Sequence, residues 1–249
     1  MAVVLEGGCR VSTMHEGTPH VSGSLKIWNQ VGKASGAEAI SLRILEFGPG
    51  MSPGLRNREC DEVLYVLNGM CTLFIDGNAY EVGPESGVYV RPGQTMSVQN
   101  PGPDAVYFVS SQCPEEVFKG TVDAPLDHGV TSGVCPIVPL SDRRALPTAD
   151  RWYRVLVDDE IGSEQVTQFV GSIPPGRAPD HFHEYEEVLF ILRGEGRMWA
   201  GETNTPIAPG SCIYLPKRQP HCVENTGAGE LRLLGVFYPA GSPAVRYEA

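Results

Sequence analysis

Short apolar runs broken by turn residues dominate the chain. SLKIWNQV (24–31), AISLRILEF (39–47), EVLYVLNG (62–69), CTLFIDG (71–77), GVYVRPG (87–93), MSVQN (96–100) and AVYFVSS (105–111) are rich in β-branched and aromatic residues. Each is bounded by Gly, Pro, Asn, Asp or Ser, the pattern of short strands. WYRVLV (152–157) and QVTQFVGSI (165–173) continue it. Asp76-Gly77 predicts a tight hairpin. A helical period shows only weakly, over 115–119. VLYVL (63–67) and VLFIL (188–192) are apolar at every position. A strand with one wet face alternates, so these two are predicted to be covered on both faces, by a neighbouring module or a second subunit. Cover by a second subunit would make the protein a homodimer.

The pattern is written twice. Glu187 follows Glu62 by 187 − 62 = 125 positions, and the same offset relates Gly69 to Gly194, Tyr89 to Tyr214 and Asn100 to Asn225. DEVLYVLNG aligns with EEVLFILRG. Two similar modules are therefore expected at 21–119 and 151–249. An irregular arm (1–20) would precede them and a Pro/Gly/Asp-rich surface linker (120–150) would join them. His15 and His20 in the arm read as solvated, although an arm of this kind could also pair with a sheet edge. His128 and Cys135 in the linker have no motif partner.

One stretch carries candidate chemistry. His181 and His183 are two apart, which places both side chains on one face of a strand. A straight strand would carry Glu187 about 13 Å beyond His183, too far for a shared ion. The chain must bend around Glu184 to Glu186 to return it. His221 must arrive on another strand. Three imidazoles and a carboxylate suit one divalent transition metal better than calcium or magnesium, and do not distinguish Fe, Mn, Ni, Cu and Zn. With offset 125 applied throughout, the first module places Arg56, Arg58 and Met96 where the second has His181, His183 and His221. Arginine cannot ligate a cation, so the first module is expected to be metal-free, with Glu62 paired to Arg56 or Arg58. The arginine pair is also a candidate anion site.

These residues resemble the two motifs of the cupin family. The first appears as Gly176, His181, His183, Glu187 and Gly194, with the leading spacer one residue short; the second as Gly210, Pro216, His221 and Asn225, with Arg218 where the family usually has Gly. The resemblance implies an all-β fold of two tandem jelly-roll (double-stranded β-helix) barrels, a bicupin with a quercetin-dioxygenase-like second barrel. It also implies that Glu187 can act as a proton acceptor, as its counterpart does in flavonol-cleaving dioxygenases. Inward parity nominates Leu189, Ile191 and Val223 as pocket lining, with Phe169, Met198, Trp199 and Tyr214 as further candidates. Such a pocket suits a small organic substrate. A dioxygenase is the favoured expectation. A non-oxidative isomerase, lyase, decarboxylase or amidohydrolase and a non-catalytic binding protein are the alternatives. Oxalate-type decarboxylation is less favoured, because the bicupins that perform it usually keep ligands in both modules.

Composition narrows the partners. Among 249 residues the formal net charge is −11, which disfavours nucleic acid and anionic membranes. No stretch is apolar over a membrane-spanning length. The start, MAVVLEGGCR, lacks the basic and apolar regions of a secretory leader, and seven cysteines form no C-x-x-C pair. Reduced thiols in a cytoplasmic protein are expected. Cys222, opposite in parity to His221, is expected to be a packing residue.

Overall fold

The computed structural model describes residues 1–124, 133–148 and 150–244, and the backbone of 247–248. It consists of two antiparallel barrels, as the repeat predicts. Each closes a long sheet against a short one. In the first barrel the long sheet runs Ile137–Pro139, Ser86–Val90, Asp61–Asn68, Val106–Cys113, Leu42–Phe47, Leu25–Val31, His20–Ser22. Its short sheet holds Asn78–Val82, Cys71–Ile75, Thr95–Asn100, Gly50–Met51 and Leu55–Arg56. The hairpin at Asp76-Gly77 forms as read, with both residues at positive φ (46° and 79°). The second barrel repeats the plan around Glu186–Arg193, Leu231–Tyr238, Thr167–Ile173 and Ser211–Leu215, faced by Gly196–Ala200, Thr203–Ile207, His221–Asn225 and His181–Phe182.

Alternation sorts the apolar strands into three cores. Leu64 and Val66 point into the first barrel with Leu45, Leu73 and Phe108. Leu189 and Ile191 point into the second with Phe169, Met198 and Leu233. The opposite faces, Val63 and Tyr65 from one barrel and Val188 and Phe190 from the other, meet in a third core between the two long sheets. The neighbouring module therefore supplies the predicted second cover, and these runs need no second subunit. Polar clamps frame this core. The Glu186 carboxylate accepts N–H bonds from Glu38 and Ala39 of the first barrel at 2.7 Å each, and Tyr214 Oη bonds it as well.

The arm takes the sheet-edge pairing left open for it, and part of the linker forms a strand. Arg10–Thr13 pairs with Ser211–Leu215 of the second barrel, and Leu5, Cys9 and Val11 are buried in that barrel's core. Ile137–Pro139 pairs in turn with Ser86–Val90 of the first barrel. Each module thus lends its leading strand to the other. The arm reads as unpatterned because its partner strand lies about 200 residues away. His15 packs edge-on against Trp28 and His20 against Phe118 (ring centroids 4.8 and 4.7 Å), and both residues remain exposed to solvent, as expected. His128 lies outside the described residues. Residues 115–119 form neither helix nor strand. All seven cysteines are unpaired. No helix among the described residues is long and apolar enough to cross a membrane.

Candidate metal centre

His181 and His221 are direct partners on adjacent antiparallel strands of the second barrel's short sheet. His183 follows two residues on. The ring centroids lie 4.6 Å (His181–His221), 5.0 Å (His181–His183) and 5.3 Å (His183–His221) apart. One ring nitrogen from each lies within 4.8 Å of the others. Glu187 reaches the same space from the facing sheet. The chain bends at Glu184 and Tyr185, as the spacing demands. The backbone N–H of Arg218 donates to the His183 carbonyl at 2.7 Å and pins the bend. Arg218 holds φ 62°, which explains why the family usually places Gly there. Glu187 Oε2 lies 3.5 Å from His183 Nε2, beside the three-histidine cluster rather than within its mutual 4.8 Å. Tyr185 stacks on His183 (4.8 Å, 8°) and on Phe237 (4.4 Å, 20°), which fixes the imidazole plane.

The donor set fits a cation. His221 Nδ1 faces the Gln219 carbonyl at 2.8 Å and His181 Nδ1 the Pro179 carbonyl at 3.3 Å. Those contacts assign the proton to Nδ1 and leave Nε2 as the donor atom. Burial pushes His221 down to about 3, helped by His181, and pushes Glu187 up to about 8. The pocket thus penalises an imidazolium and a bare carboxylate alike. Among the described residues no guanidinium or ammonium lies within 4 Å of Glu187. A bound cation would let it ionise.

The first barrel balances its glutamate differently. Glu62, fully buried, is paired with the Arg43 guanidinium and bonded by Ser110 Oγ at 2.5 Å. Neither Arg56 nor Arg58 reaches it; both are exposed. The reason is a one-residue slip, which exchanges strand faces. Met96 pairs with Leu55 as His221 pairs with His181, and Gly93 N–H bonds the Asn57 carbonyl as Arg218 N–H bonds that of His183. Leu55 and Asn57 are therefore the counterparts of the two histidines, at 183 − 57 = 126, before the offset returns to 125 at Glu62. Leu55, Asn57 and Met96 make no metal site either, so the expectation stands on different residues. Arg43 itself corresponds to Phe169: Arg43 pairs with Ser110 and Phe169 with Gly235. A guanidinium neutralises the buried glutamate in one barrel, and a histidine cluster stands beside it in the other. Arg43→Met leaves Glu62 buried without its cation and is expected to destabilise the protein by about 3–5 kcal/mol. Arg43→Met with Glu62→Leu should recover most of that loss in urea unfolding. Equal losses in both variants would refute the pairing.

A cavity of about 110 Å³ opens above the histidines. Phe169, Leu189 and Val223 line it as nominated, joined by Ile173 and Leu233. The other nominees lie elsewhere. Ile191 and Met198 are fully buried in the packed core. Trp199 is on the outer face, its Nε1 donating to Glu224 at 2.7 Å under the Arg177 guanidinium. Tyr214 faces the other barrel. Cys222 also points outward, its Sγ accepting from Arg177 Nε at 3.3 Å. The polar wall was missed: Thr148, Arg151, Tyr153 and Ser172. Arg151 and Tyr153 share one parity on the strand Arg151–Val157, and that alternation was the available signal.

Residues 169–237 match the cupin domain family, and residues 62–170 an AraC-like ligand-binding domain. Auxin-binding protein 1 of Arabidopsis thaliana is 32% identical over 86 residues, 30% of this chain and 43% of that protein. An oxalate-binding protein of Thermotoga maritima is 36% identical over 67 residues, 26% and 55% of the respective chains. The chain thus spans about half the length of the curated relatives it matches. A mutant of Bacillus subtilis oxalate decarboxylase superimposes with a TM-score of 0.74 over 93% of this chain and 77% of that one, at 14% identity, a likeness of fold. Manganese(II) centres are described for that decarboxylase.

Proposed function

Because this chain belongs to the cupin superfamily and gathers three histidines in its second barrel, we propose that it is a metal-dependent enzyme acting on a small carboxylate substrate by non-oxidative chemistry. The observation that carries this reading is the composition of the 110 Å³ cavity, with the histidine cluster and Glu187 at one end and Arg151 in the wall. That volume suits an acid of a few carbons better than a flavonoid. A guanidinium fork matches a carboxylate in shape and charge. Arg151 would hold that carboxylate. Phe169, Leu189, Val223 and Leu233 exclude water around it. A divalent ion held by His181, His183 and His221, with Glu187 as a further ligand, would supply Lewis acidity toward a carbonyl or enolate oxygen. Burial alone raises Glu187 to about 8, and a bound cation would lower it again, leaving Oε2 as a proton acceptor. The oxalate-named relatives support the substrate class.

The apolar wall favours a second reading, a dioxygenase binding substrate and dioxygen side by side. The metal-loaded protein, assayed with two- to four-carbon oxo and hydroxy acids, separates the two. Turnover under argon, with KM raised about tenfold or more by Arg151→Ala and kcat lowered by Glu187→Gln, is the expected result. Turnover only with matching dioxygen uptake would transfer the protein to the oxygenase reading, and saturable binding without turnover would make it a binding protein.

A further inference from the structure

We propose that the first barrel carries its own binding site, for a small carboxylate anion, in the cavity between Asn57 and the segment 115–122. The site is independent of the metal centre, because Arg43, Leu55, Asn57 and Met96 have replaced that chemistry here. The cavity holds about 80 Å³.

Three observations converge. The first is charge. In a chain of net charge −11, the cavity is lined by Arg43, Arg56, Arg58 and Lys119 against the single carboxylate of Glu116. Arg43 is committed to Glu62, whereas the side-chain charges of Arg56, Arg58 and Lys119 form no salt bridge among the described residues. The second is a donor. Asn57 is 2% exposed, and its Nδ2 has no hydrogen-bond partner among the described residues. Its Oδ1 accepts from Gln112 Nε2 at 3.3 Å, which fixes the orientation of the amide. A buried amide donor left unmatched is destabilising, and only an acceptor satisfies it. The third is a demonstration of the chemistry within the fold. The Glu116 carboxylate accepts N–H bonds from Arg58 (3.2 Å), Glu59 and Cys60 (2.8 Å) in successive positions. Burial raises the Glu116 carboxyl, but these bonds outweigh it and hold the group below its ordinary range. The loop next to Asn57 is thus already a carboxylate receptor, used by the chain's own strap. A ligand of the same class would sit beside Glu116, accept from Asn57 Nδ2 and meet the forks of Arg56 and Arg58. Cations exposed on one side and a buried donor on the other give the site a mouth and a floor.

Amide NMR of the full-length, metal-loaded protein tests this, with malonate, acetate and inorganic phosphate as probes. Malonate should shift the Arg58, Glu59 and Gly120 amides saturably, with Kd about 1 mM. Arg56→Ala with Arg58→Ala, on exposed side chains, should weaken that binding about tenfold or more, and Asn57→Leu about tenfold. His181→Ala should leave it unchanged, which separates this site from the metal centre. Absence of saturable shifts, or shifts unaltered in both the arginine and the asparagine variants, would overturn the site. Phosphate binding without malonate binding would overturn the assignment to carboxylates.

Discussion

Replacing His181 and His221 together by alanine is expected to reduce bound metal from about one ion per chain to background, with affinity lowered by more than about 10³-fold. The argument rests on geometry. The two residues are paired across adjacent strands, with ring centroids 4.6 Å apart, and no other side chain in the cluster can replace them. Losing even an outer partner of a ligating histidine commonly lowers affinity about 10–100-fold, so losing two direct donors exceeds that. Glu187→Gln should give an intermediate loss, since the glutamate stands beside the histidines and touches His183. Elemental mass spectrometry on untagged protein reads both variants against the unsubstituted chain. Thermal melting without added metal checks that the double variant is still folded, because both histidines sit at one end of a barrel whose apolar core is elsewhere. Metal content unchanged in the double variant would refute the centre. Bound zinc alone would strengthen the non-oxidative reading, and a redox-active ion would direct the first assays to dioxygen uptake.

Removing residues 1–13 is expected to destabilise the second barrel, the one farther along the chain, by about 5 kcal/mol or more and to abolish metal retention with it. Leu5 and Val11 are 7% and 6% exposed in that barrel's core, and burying each is worth about 1.5–3 kcal/mol. The truncation also strips the hydrogen-bonded edge from Ser211–Leu215, whose other neighbour, Glu186–Arg193, carries Glu187. Leu5→Ala with Val11→Ala should show roughly half the loss in urea unfolding without cutting the chain. A truncated protein that melts like the full chain would mean the strand exchange contributes nothing.

The strands, the doubled module and the candidate metal ligands were legible in the residue pattern alone. Period-two alternation exposes short strands directly. The spacing His181, His183, Glu187 demanded the bend found at Glu184 and Tyr185, because the reach of a strand is fixed by its rise per residue. The other features depend on how the strands pair across the barrels. A constant offset assigned Arg56 and Arg58 to the histidine positions, yet strand pairing assigns Leu55 and Asn57; one inserted residue exchanges inside for outside and leaves composition almost untouched. Arg43 was invisible as Glu62's partner, since nothing local ties two strands that meet through Ser110. Strand parity groups Arg151 with Tyr153, but which cavity they face, and which sheet edge the arm joins, were hidden for the same physical reason. A contact between residues distant in sequence is set by the closure of the barrels, and closure is a property of the whole chain rather than of any segment in it.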